Sequence, residues 1–498
     1  MSSALKNIVK HSGIYSAGKI LANSIGFLLI PVYTRYLTPA DYGTLEILTI
    51  TGQVLITVCT LGIGNGLLKV FLHDSNDDKE RKQAATIAYV FVVLMSVLVF
   101  GPAILFSGLI SKLTLNDSSL SLWFAILFLS GLFSAVSVIP FQVYRAERQS
   151  VRYTLINLLK FVLVLGSNIF FVVVLELGVV GVLYGSLIGA LSVFVVNFLR
   201  IRGYFVWKVT LKLLKKMLRF GLPLLPAMLA IWMVTSIDRY LLAQFSDLNE
   251  LGLYSMGMRF AIILEIVFRI PFDTNWPSIY LPLAKKANVD REFSKLFTYY
   301  LALGLFLALG LSLFAKPAIE LMTTPDFYGA YAIVPILVLA FLFRGISSNV
   351  GIGIWLSGKT KYQAFIMIGT ALVNIVLNIV LISPLGMLGA ALATLASFGF
   401  MALVHYVVSQ KFFSIRYEAR RILKLISSFC VLLLVFYLMA PVSLLTQLIT
   451  AALLCLSFPA LLFLFNFFTV EEMEWLRKIL KRTRLAVVPL SAFVRRYV

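Results

Sequence analysis

Apolar runs of about 20 residues recur from one end of the sequence to the other, and short polar segments separate them. A helix of about 20 residues crosses the hydrocarbon core of a bilayer, which is about 30 Å thick, so each run predicts a transmembrane helix. The first run carries Lys19 and ends at Arg35 without a small-residue cleavage site, which favours a spanning helix over a cleaved signal segment. Fourteen spans are predicted, at about residues 12–35, 42–68, 84–107, 120–142, 154–175, 178–199, 220–244, 251–280, 293–315, 331–356, 362–383, 386–408, 423–440 and 447–469.

Composition agrees with this all-α integral membrane class. Apolar residues make up 60% of the 498 residues and charged residues only 13%, whereas about a quarter of a soluble chain is charged. Mean hydropathy is +0.95. The cysteines and histidines are scattered, and the chain has no phosphate-binding loop, zinc-site spacing or nucleophile motif. The sequence therefore predicts a protein without a catalytic site, a cofactor or a metal.

Basic residues are distributed unequally between the two sets of alternate connections. One set holds nearly all of them, and the other holds only Arg35, Lys112 and Lys316. By the positive-inside rule the crowded side is cytoplasmic, which places both termini inside and agrees with an even number of spans. The net charge of +21 is thereby explained as a topology signal, and no nucleic-acid partner is needed.

The segment from Val470 to Arg484 has the pattern of a basic amphipathic helix. Its apolar residues could face lipid while its basic residues meet anionic headgroups at the inner surface. A solvated tail without a function is the alternative interpretation.

Short motifs recur in the second half of the chain at a nearly constant distance. Thr34-Arg35-Tyr36-Leu37 recurs as Asp238-Arg239-Tyr240-Leu241, Leu177-Gly178 as Leu385-Gly386, and Tyr153 as Tyr362. Six predicted spans separate the copies, and an even number preserves direction, so the repeats are parallel about an axis along the membrane normal. We predict a six-helix lobe over residues 1–205, a second over 206–410, and an appended helix pair with a basic tail over 411–498.

Charged residues within the spans are candidates for a functional site, because a charge near the bilayer centre costs about 2.5–3.5 kcal/mol. Arg35, Lys160, Asp238 and Arg239 lie near span ends, and we expect them to extend to the interface. Glu46, near the outer end of the second span, is the one clear unpaired carboxylate.

The eighth span carries four charges on one face. Arg259, Glu265, Arg269 and Asp273 fall within an arc of about 120° at helical spacing. Glu265 with Arg269, and Arg269 with Asp273, are i,i+4 pairs that predict ion pairs. Arg259 has no acid three or four positions away.

Lys19 and Arg344 likewise lack a partner on their own spans. We predict that Lys19, Arg259 and Arg344, with Arg269 next, line a cationic cavity between the two lobes. Glu46, Asp238, Arg239, Glu265 and Asp273 are possible accessory residues of the same cavity. Arginine offers phosphate a permanent charge and paired hydrogen bonds, so these cations favour an anionic, phosphorylated substrate.

The stretch from Pro31 to Gly43, PVYTRYLTPADYG, resembles the signature of the bacterial polysaccharide (O-antigen-type) flippases. These belong to the multidrug, oligosaccharidyl-lipid and polysaccharide exporter (MOP) superfamily, which includes the lipid II flippase. The fourteen spans, the six-plus-six repeat and an arginine in the eighth span extend the resemblance over the whole chain. It implies two lobes that alternate access and a diphosphate bound by Lys19 and Arg259. Lysine at 19 departs from the arginine of the lipid II flippase.

The resemblance implies a flippase that moves an undecaprenyl-diphosphate-linked oligosaccharide across the bacterial inner membrane, without a cofactor. The implied partners are this substrate, membrane lipids and the polysaccharide polymerase machinery. A multidrug extruder of the same superfamily is one alternative. A membrane polysaccharide polymerase or ligase is another, although the longest outer loop, around residues 316–330, is short for such an enzyme.

Overall fold

The computed structural model describes residues 26–74, 77–206, 210–284, 288–439, 441 and 443–474, except for the side chains of 277–279 and 281. All regular structure in these ranges is helical. Twelve helical segments in them are long and apolar enough to cross a membrane. The prediction of an all-α integral membrane fold is confirmed.

Within the described residues, the first half of the chain forms nine α-helices, with π-helical turns at Val70–Asp74 and Ile169–Val174. The helices are α1 (Ile30–Tyr36), α2 (Pro39–Thr60), α3 (Ile63–Lys69), α4 (Asp78–Leu105), α5 (Ser107–Leu115), α6 (Ser121–Val136), α7 (Val138–Ala146), α8 (Ser150–Asn168) and α9 (Gly178–Ile201).

The described part of the second half adds eleven α-helices and a π-helical turn at Glu265–Arg269. They are α10 (Leu211–Gly221), α11 (Leu225–Phe245), α12 (Leu248–Ala261), α13 (Ile270–Leu283), α14 (Val289–Leu313), α15 (Ala315–Met322), α16 (Val334–Val350), α17 (Ile352–Leu356), α18 (Lys361–Phe412), α19 (Ala419–Met439) and α20 (Leu444–Leu464). A 3-10 segment, Pro325–Ile333, precedes α16.

The 52-residue α18 covers two of the predicted spans, because its backbone leaves the helical conformation at Gly386 (φ 53°, ψ −130°). The described residues therefore account for thirteen spans. Of the first predicted span, 12–35, only the end containing α1 lies within the described residues. The predicted tail helix is described for residues 470–474, which are helical, and the rest of it lies outside the described residues.

The described residues divide into two compact units. One contains those up to Asp273 together with Ala318–Phe413, and the other contains Thr274–Pro317 and those from Ser414 onward.

In the first unit, alternate connections meet at one end, which we call the cation-poor end because its connections hold few basic residues. The Glu250 carboxylate, near the start of α12, accepts a hydrogen bond from the Met387 amide at 2.9 Å, just after Gly386. The connection before α9 reaches the same end, since a Cβ on Gly178 would lie 3.9 Å from the side chain of Leu37. The alternation predicted from the spans is therefore present in this unit.

The repeat motifs have matching backbone structure. Gly178 and Gly386 both have positive φ, 55° and 53°, at the starts of their helical spans. Helix α2 begins with a capping box in which the Thr38 hydroxyl accepts from the Asp41 amide, and α12 begins where the Asp247 carboxylate accepts from the Glu250 amide. Such caps satisfy the free amides of a first helical turn.

Helices α2 and α12 cross closely at two glycines of these equivalent first turns. A Cβ on Gly43 would overlap the carbonyl oxygen of Leu248, and a Cβ on Gly252 would overlap that of Pro39. Small residues allow helix backbones to approach in this way. The cation-poor end is therefore closed between α2 and α12.

At the other end of the first unit, α2 stops at Leu61 and Gly62, both of which have positive φ. Gly62 packs against the backbone of Gly221 at the end of α10. Leu67 of α3 and Met217 of α10 belong to one buried apolar cluster with residues of α4 and α7. This packing explains why the predicted span 42–68 is two helices rather than one.

In the second unit, Arg421 of α19 joins the start of the tail to two helices. Its guanidinium pairs with Glu472 at 2.9 Å and with Glu418 at 3.0 Å. It also lies over the ring of Phe467, 4.4 Å from the centroid, and Glu472 accepts a hydrogen bond from the hydroxyl of Tyr299. These contacts connect residues 467–472 to α14 and α19.

Candidate functional site

Three charged side chains from three helices meet near the cation-poor end of the first unit. One carboxylate oxygen of Glu46 of α2 lies 3.0 Å from Nε of Arg239 of α11, as an ion pair. The second oxygen of the same carboxylate lies 3.5 Å from Nη2 of Arg259 of α12. We call Glu46, Arg239 and Arg259 the outer cluster.

A buried carboxylate supports the outer cluster from behind. Asp238 is fully buried, lies 3.6 Å from Arg239 Nη1, and accepts a hydrogen bond from the hydroxyl of Tyr254. Arg239 also donates to the Thr235 carbonyl. Buried charges are tolerated when they are paired and hydrogen-bonded, so Asp238 and Tyr254 fix Arg239 beneath Glu46.

Arg259 is the accessible member of the outer cluster. Its side chain is 38% exposed, compared with 11% for Glu46 and 9% for Arg239. The guanidinium lies against Gly26, where a Cβ would come 2.5 Å from Nη1. Tyr33 and Tyr42 are further polar neighbours. A Cβ at position 26 would displace the end of this side chain, so the guanidinium packs directly on the backbone of Gly26.

A second group of charges forms farther along the same predicted span. Arg269 pairs with Glu265 at 2.8 Å and with Asp273 at 2.6 Å, which confirms both predicted i,i+4 ion pairs. Glu265 also pairs with Arg344 of α16 at 3.1 Å, and Ser348 donates to Asp273 at 3.4 Å. We call Glu265, Arg269, Asp273 and Arg344 the inner cluster.

The two clusters are separate, although all four charges of the eighth span were predicted to share one face. Helix α12 ends at Ala261, and the π-helical turn Glu265–Arg269 follows. A π-turn changes the number of residues per turn and so rotates the residues beyond it. Arg259 thus contacts Glu46 of α2, whereas Glu265 and Asp273 contact Arg344 and Ser348 of α16.

Two expectations about individual charges are wrong. Asp238 and Arg239 do not extend to the interface, since they are 0% and 7% exposed; α11 continues to Phe245 and turns both toward α2 and α12. Glu46 is not an unpaired carboxylate, because it contacts two arginines from other helices.

Arg259 and Arg344 lack partners on their own helices, as predicted, but each has an acidic partner on another helix. The described contacts place Arg344 with Glu265 rather than with Arg259. Lys19 lies outside the described residues. Tyr254, which donates to the Asp238 carboxylate, was missed as a site residue.

A family model described as polysaccharide biosynthesis protein matches residues 8–279, which is more than half of the chain. The chain belongs to the polysaccharide biosynthesis protein family. The match includes the whole outer cluster, and it covers Glu265, Arg269 and Asp273 of the inner cluster.

The solved structures that share this protein's fold include a flippase and several transporters. A structure titled "Lipid II flippase MurJ, inward closed conformation" has 16% identity and a TM-score of 0.73, over 90% of this chain and 98% of that one. An inward-facing multidrug resistance MATE family transporter of the MOP superfamily has 13% identity and a TM-score of 0.66, over 81% and 96%. An outward-facing MATE family transporter has 16% and 0.57, over 82% and 95%.

A sequence comparison with curated proteins found no match. The family match places the chain among the polysaccharide biosynthesis proteins, and the solved structures show that it has the fold found in these flippases and transporters. The predicted relationship to a polysaccharide family is confirmed.

Proposed function

We propose that this protein moves an undecaprenyl-diphosphate-linked oligosaccharide from the cytoplasmic to the periplasmic leaflet of the bacterial inner membrane, for surface polysaccharide biosynthesis. The observation that carries the proposal is Arg259, a partly exposed cation within a membrane span, held 3.5 Å from a single carboxylate oxygen. An ionisable residue within a membrane span marks a substrate or ion pathway.

A diphosphate suits this position. Guanidinium offers phosphate two parallel hydrogen bonds and a permanent charge, and Arg259 has more exposed surface than the other charges of the outer cluster. We propose Lys19 as a second cation for the same diphosphate. Arg344 and Arg269 would contact the diphosphate at a different depth in the membrane. The sugars would occupy the polar space between lobes while the prenyl chain stays among membrane lipids.

We place the cation-poor end in the periplasm and both termini in the cytoplasm, on the strength of the positive-inside rule. The direction of transport then agrees with the membrane potential. Moving one negative charge outward gains about 2.3 kcal/mol per 100 mV of inside-negative potential. The O-antigen-type product and delivery to a polymerase machinery are part of the same proposal.

The test is translocation in proteoliposomes of a fluorescent undecaprenyl-diphosphate oligosaccharide, with a quencher or a glycosidase reporting on the exposed headgroup. Arg259→Ala should abolish translocation while the protein remains inserted. The matched control is Arg35→Ala, because Arg35 is an exposed arginine outside the outer cluster. Normal translocation by Arg259→Ala would reject the site, and no translocation by the unaltered protein would reject the substrate.

A multidrug extruder is the second candidate, since the MATE family structures share the fold. A drug extruder should confer resistance to cationic dyes on sensitive cells and should not respond to undecaprenyl diphosphate. Dye export that is unchanged in Arg259→Ala, together with no translocation of the lipid, would favour this function.

A further inference from the structure

Glu46 lies where the cation-poor end is closed. It follows Gly43 by one helical turn, and Gly43 packs on the backbone of Leu248 at the start of α12. Its carboxylate contacts Arg259 of the same α12 and Arg239 of α11. An ion pair and a close backbone contact, one turn apart on α2, therefore both hold α2 against α12.

Further contacts close this end around the same helices. The hydroxyl of Thr324 donates to the Thr34 carbonyl at 2.9 Å, and the rings of Tyr42 and Phe327 lie 6.0 Å apart. Gly252 precedes Arg259 by seven residues, about 10 Å along a helix axis. A headgroup held by Arg259 thus has the closed glycine crossing between it and the cation-poor end.

The two contacts of Glu46 are unequal. Arg239 is buried, backed by Asp238, and 3.0 Å away, whereas Arg259 is partly exposed and 3.5 Å away. A competing anion can therefore reach Arg259 more easily than Arg239. A diphosphate, with more charge and more acceptor oxygens than one carboxylate, is a stronger partner for a guanidinium.

We propose that the contact of Glu46 with Arg259 keeps the cation-poor end closed, and that the substrate's diphosphate opens this end by replacing Glu46 as the partner of Arg259. The inference rests on the proposed function and adds a regulatory role for one residue of that site. A ligand shifts a conformational equilibrium only as far as it binds one state better. Here the diphosphate binds the open state better, because in that state Glu46 no longer competes with it for Arg259.

The contact of Glu46 with Arg259 also explains why an acidic residue lies in a site for an anionic substrate. Without substrate, Glu46 neutralises Arg259 and closes the path, so a small anion has no open cation to follow. With substrate, Glu46 keeps its pairing with Arg239 and is not left as an uncompensated buried charge, which would be costly.

The experiment measures opening directly by pulsed electron paramagnetic resonance. Spin labels are attached at Tyr36→Cys and Asn249→Cys, two exposed positions on the α1 and α12 sides of this end, after Cys59, Cys430 and Cys455 are replaced. The protein is reconstituted in nanodiscs with and without undecaprenyl diphosphate. The variants are Glu46→Gln and the shorter Glu46→Asp, and the matched control is Asp326→Asn, an exposed acid of the segment before α16.

We expect undecaprenyl diphosphate to increase the long-distance population of the unaltered protein. Glu46→Gln should show that population without ligand, with an open-to-closed ratio raised about tenfold or more, as expected for loss of one charge-assisted contact. Glu46→Asp should lie between, and Asp326→Asn should behave as the unaltered protein. If Glu46→Gln is not recovered folded, Glu46→Asp alone decides.

Lipid binding is measured in parallel on the unaltered protein and Arg259→Ala. If the unaltered protein binds the lipid through Arg259 but neither Glu46 variant opens, the inference is overturned and the proposed function stands. If the lipid does not bind, the proposed function fails, and ligand-independent opening in Glu46→Gln would still support the closing role of Glu46. Opening in Asp326→Asn equal to that in Glu46→Gln would also overturn the inference.

Discussion

Gly43 of α2 and Gly252 of α12 occupy equivalent positions in the two repeats, and each packs against the backbone of the other's helix. The contact is reciprocal, since Gly43 meets the carbonyl of Leu248 and Gly252 meets the carbonyl of Pro39. The equivalent first turns of α2 and α12 thus pack directly against each other.

Replacing Gly252 by Ala should destabilise this crossing. The new Cβ would overlap the Pro39 carbonyl oxygen, and overpacking of this kind costs about 1–3 kcal/mol. We expect a lower apparent unfolding temperature in detergent. Gly369→Ala is the control, because nothing lies within 4 Å of its Cβ and alanine favours a helix over glycine. Equal effects of the two changes would contradict the close contact.

The two positive-φ glycines should differ in their tolerance of alanine. Gly178→Ala has room, with the nearest side-chain atom 3.9 Å away, so only the backbone strain of about 1–2 kcal/mol applies. Gly386→Ala adds an overlap with the Glu250 carboxylate and should be the more destabilising. Thermal unfolding of the two variants side by side checks the order, and the reverse order would refute it.

Glu265 should be the most sensitive residue of the inner cluster, because it is 5% exposed and pairs with both Arg269 and Arg344. Glu265→Ala leaves Arg344 without its pairing with this acid, and breaking a buried pair costs about 3–5 kcal/mol. Unfolding in denaturant measures the loss.

The companion variant for that experiment combines Glu265→Ala with Arg344→Met. Removing both charges should recover part of the stability, since Arg269 keeps its pairing with Asp273 at 2.6 Å. A double-mutant cycle without coupling would show that Glu265 and Arg344 do not interact.

Arg421→Ala should release the start of the tail. The side chain is buried and joins Glu418 and Glu472 while packing on Phe467. We expect faster amide hydrogen exchange and easier proteolysis over residues 466–474. The neighbouring Arg420 is exposed, so Arg420→Ala should leave both unchanged. Equal protection in the two variants would disprove the role of Arg421.

The same contact should weaken in acid. Burial opposes ionisation of Glu472, but hydrogen bonds from Tyr299 and the Thr469 amide and the charge of Arg421 hold its pKa below its usual value. A depressed folded pKa contributes stability that is present above the ordinary value, about 4.3, and is lost as pH falls through the folded pKa. A spin label at Glu471→Cys should stay immobile from pH 7 to 5 and become mobile in stronger acid. Loss of order already at pH 6 would contradict this.

Features that depend on local spacing were predictable, and those that depend on which helices are neighbours were not. The ion pairs of Arg269 need only helical periodicity, and the glycines at 178 and 386 appear as one repeated motif. The acidic partner of Arg259 is Glu46 of α2, and Glu46 also pairs with Arg239 of α11. Hydropathy carries no information on helix adjacency, so Glu46 was taken as unpaired and Asp238 and Arg239 were expected at the interface.

The π-turn that interrupts the eighth span also could not be predicted from the hydrophobic pattern. An apolar stretch with charges at 3.6-residue spacing reads as one straight helix, and the π-turn at Glu265–Arg269 is a backbone feature without a side-chain signal of its own. It divides one predicted row of charges into two clusters.

The reciprocal glycine crossing has an evolutionary consequence for an internally duplicated chain. A larger side chain at position 43 or 252 would separate the same pair of helices, so a change in one copy is not relieved by keeping the other copy intact. At this crossing, the residue that one half can accept is limited by the backbone of the other half.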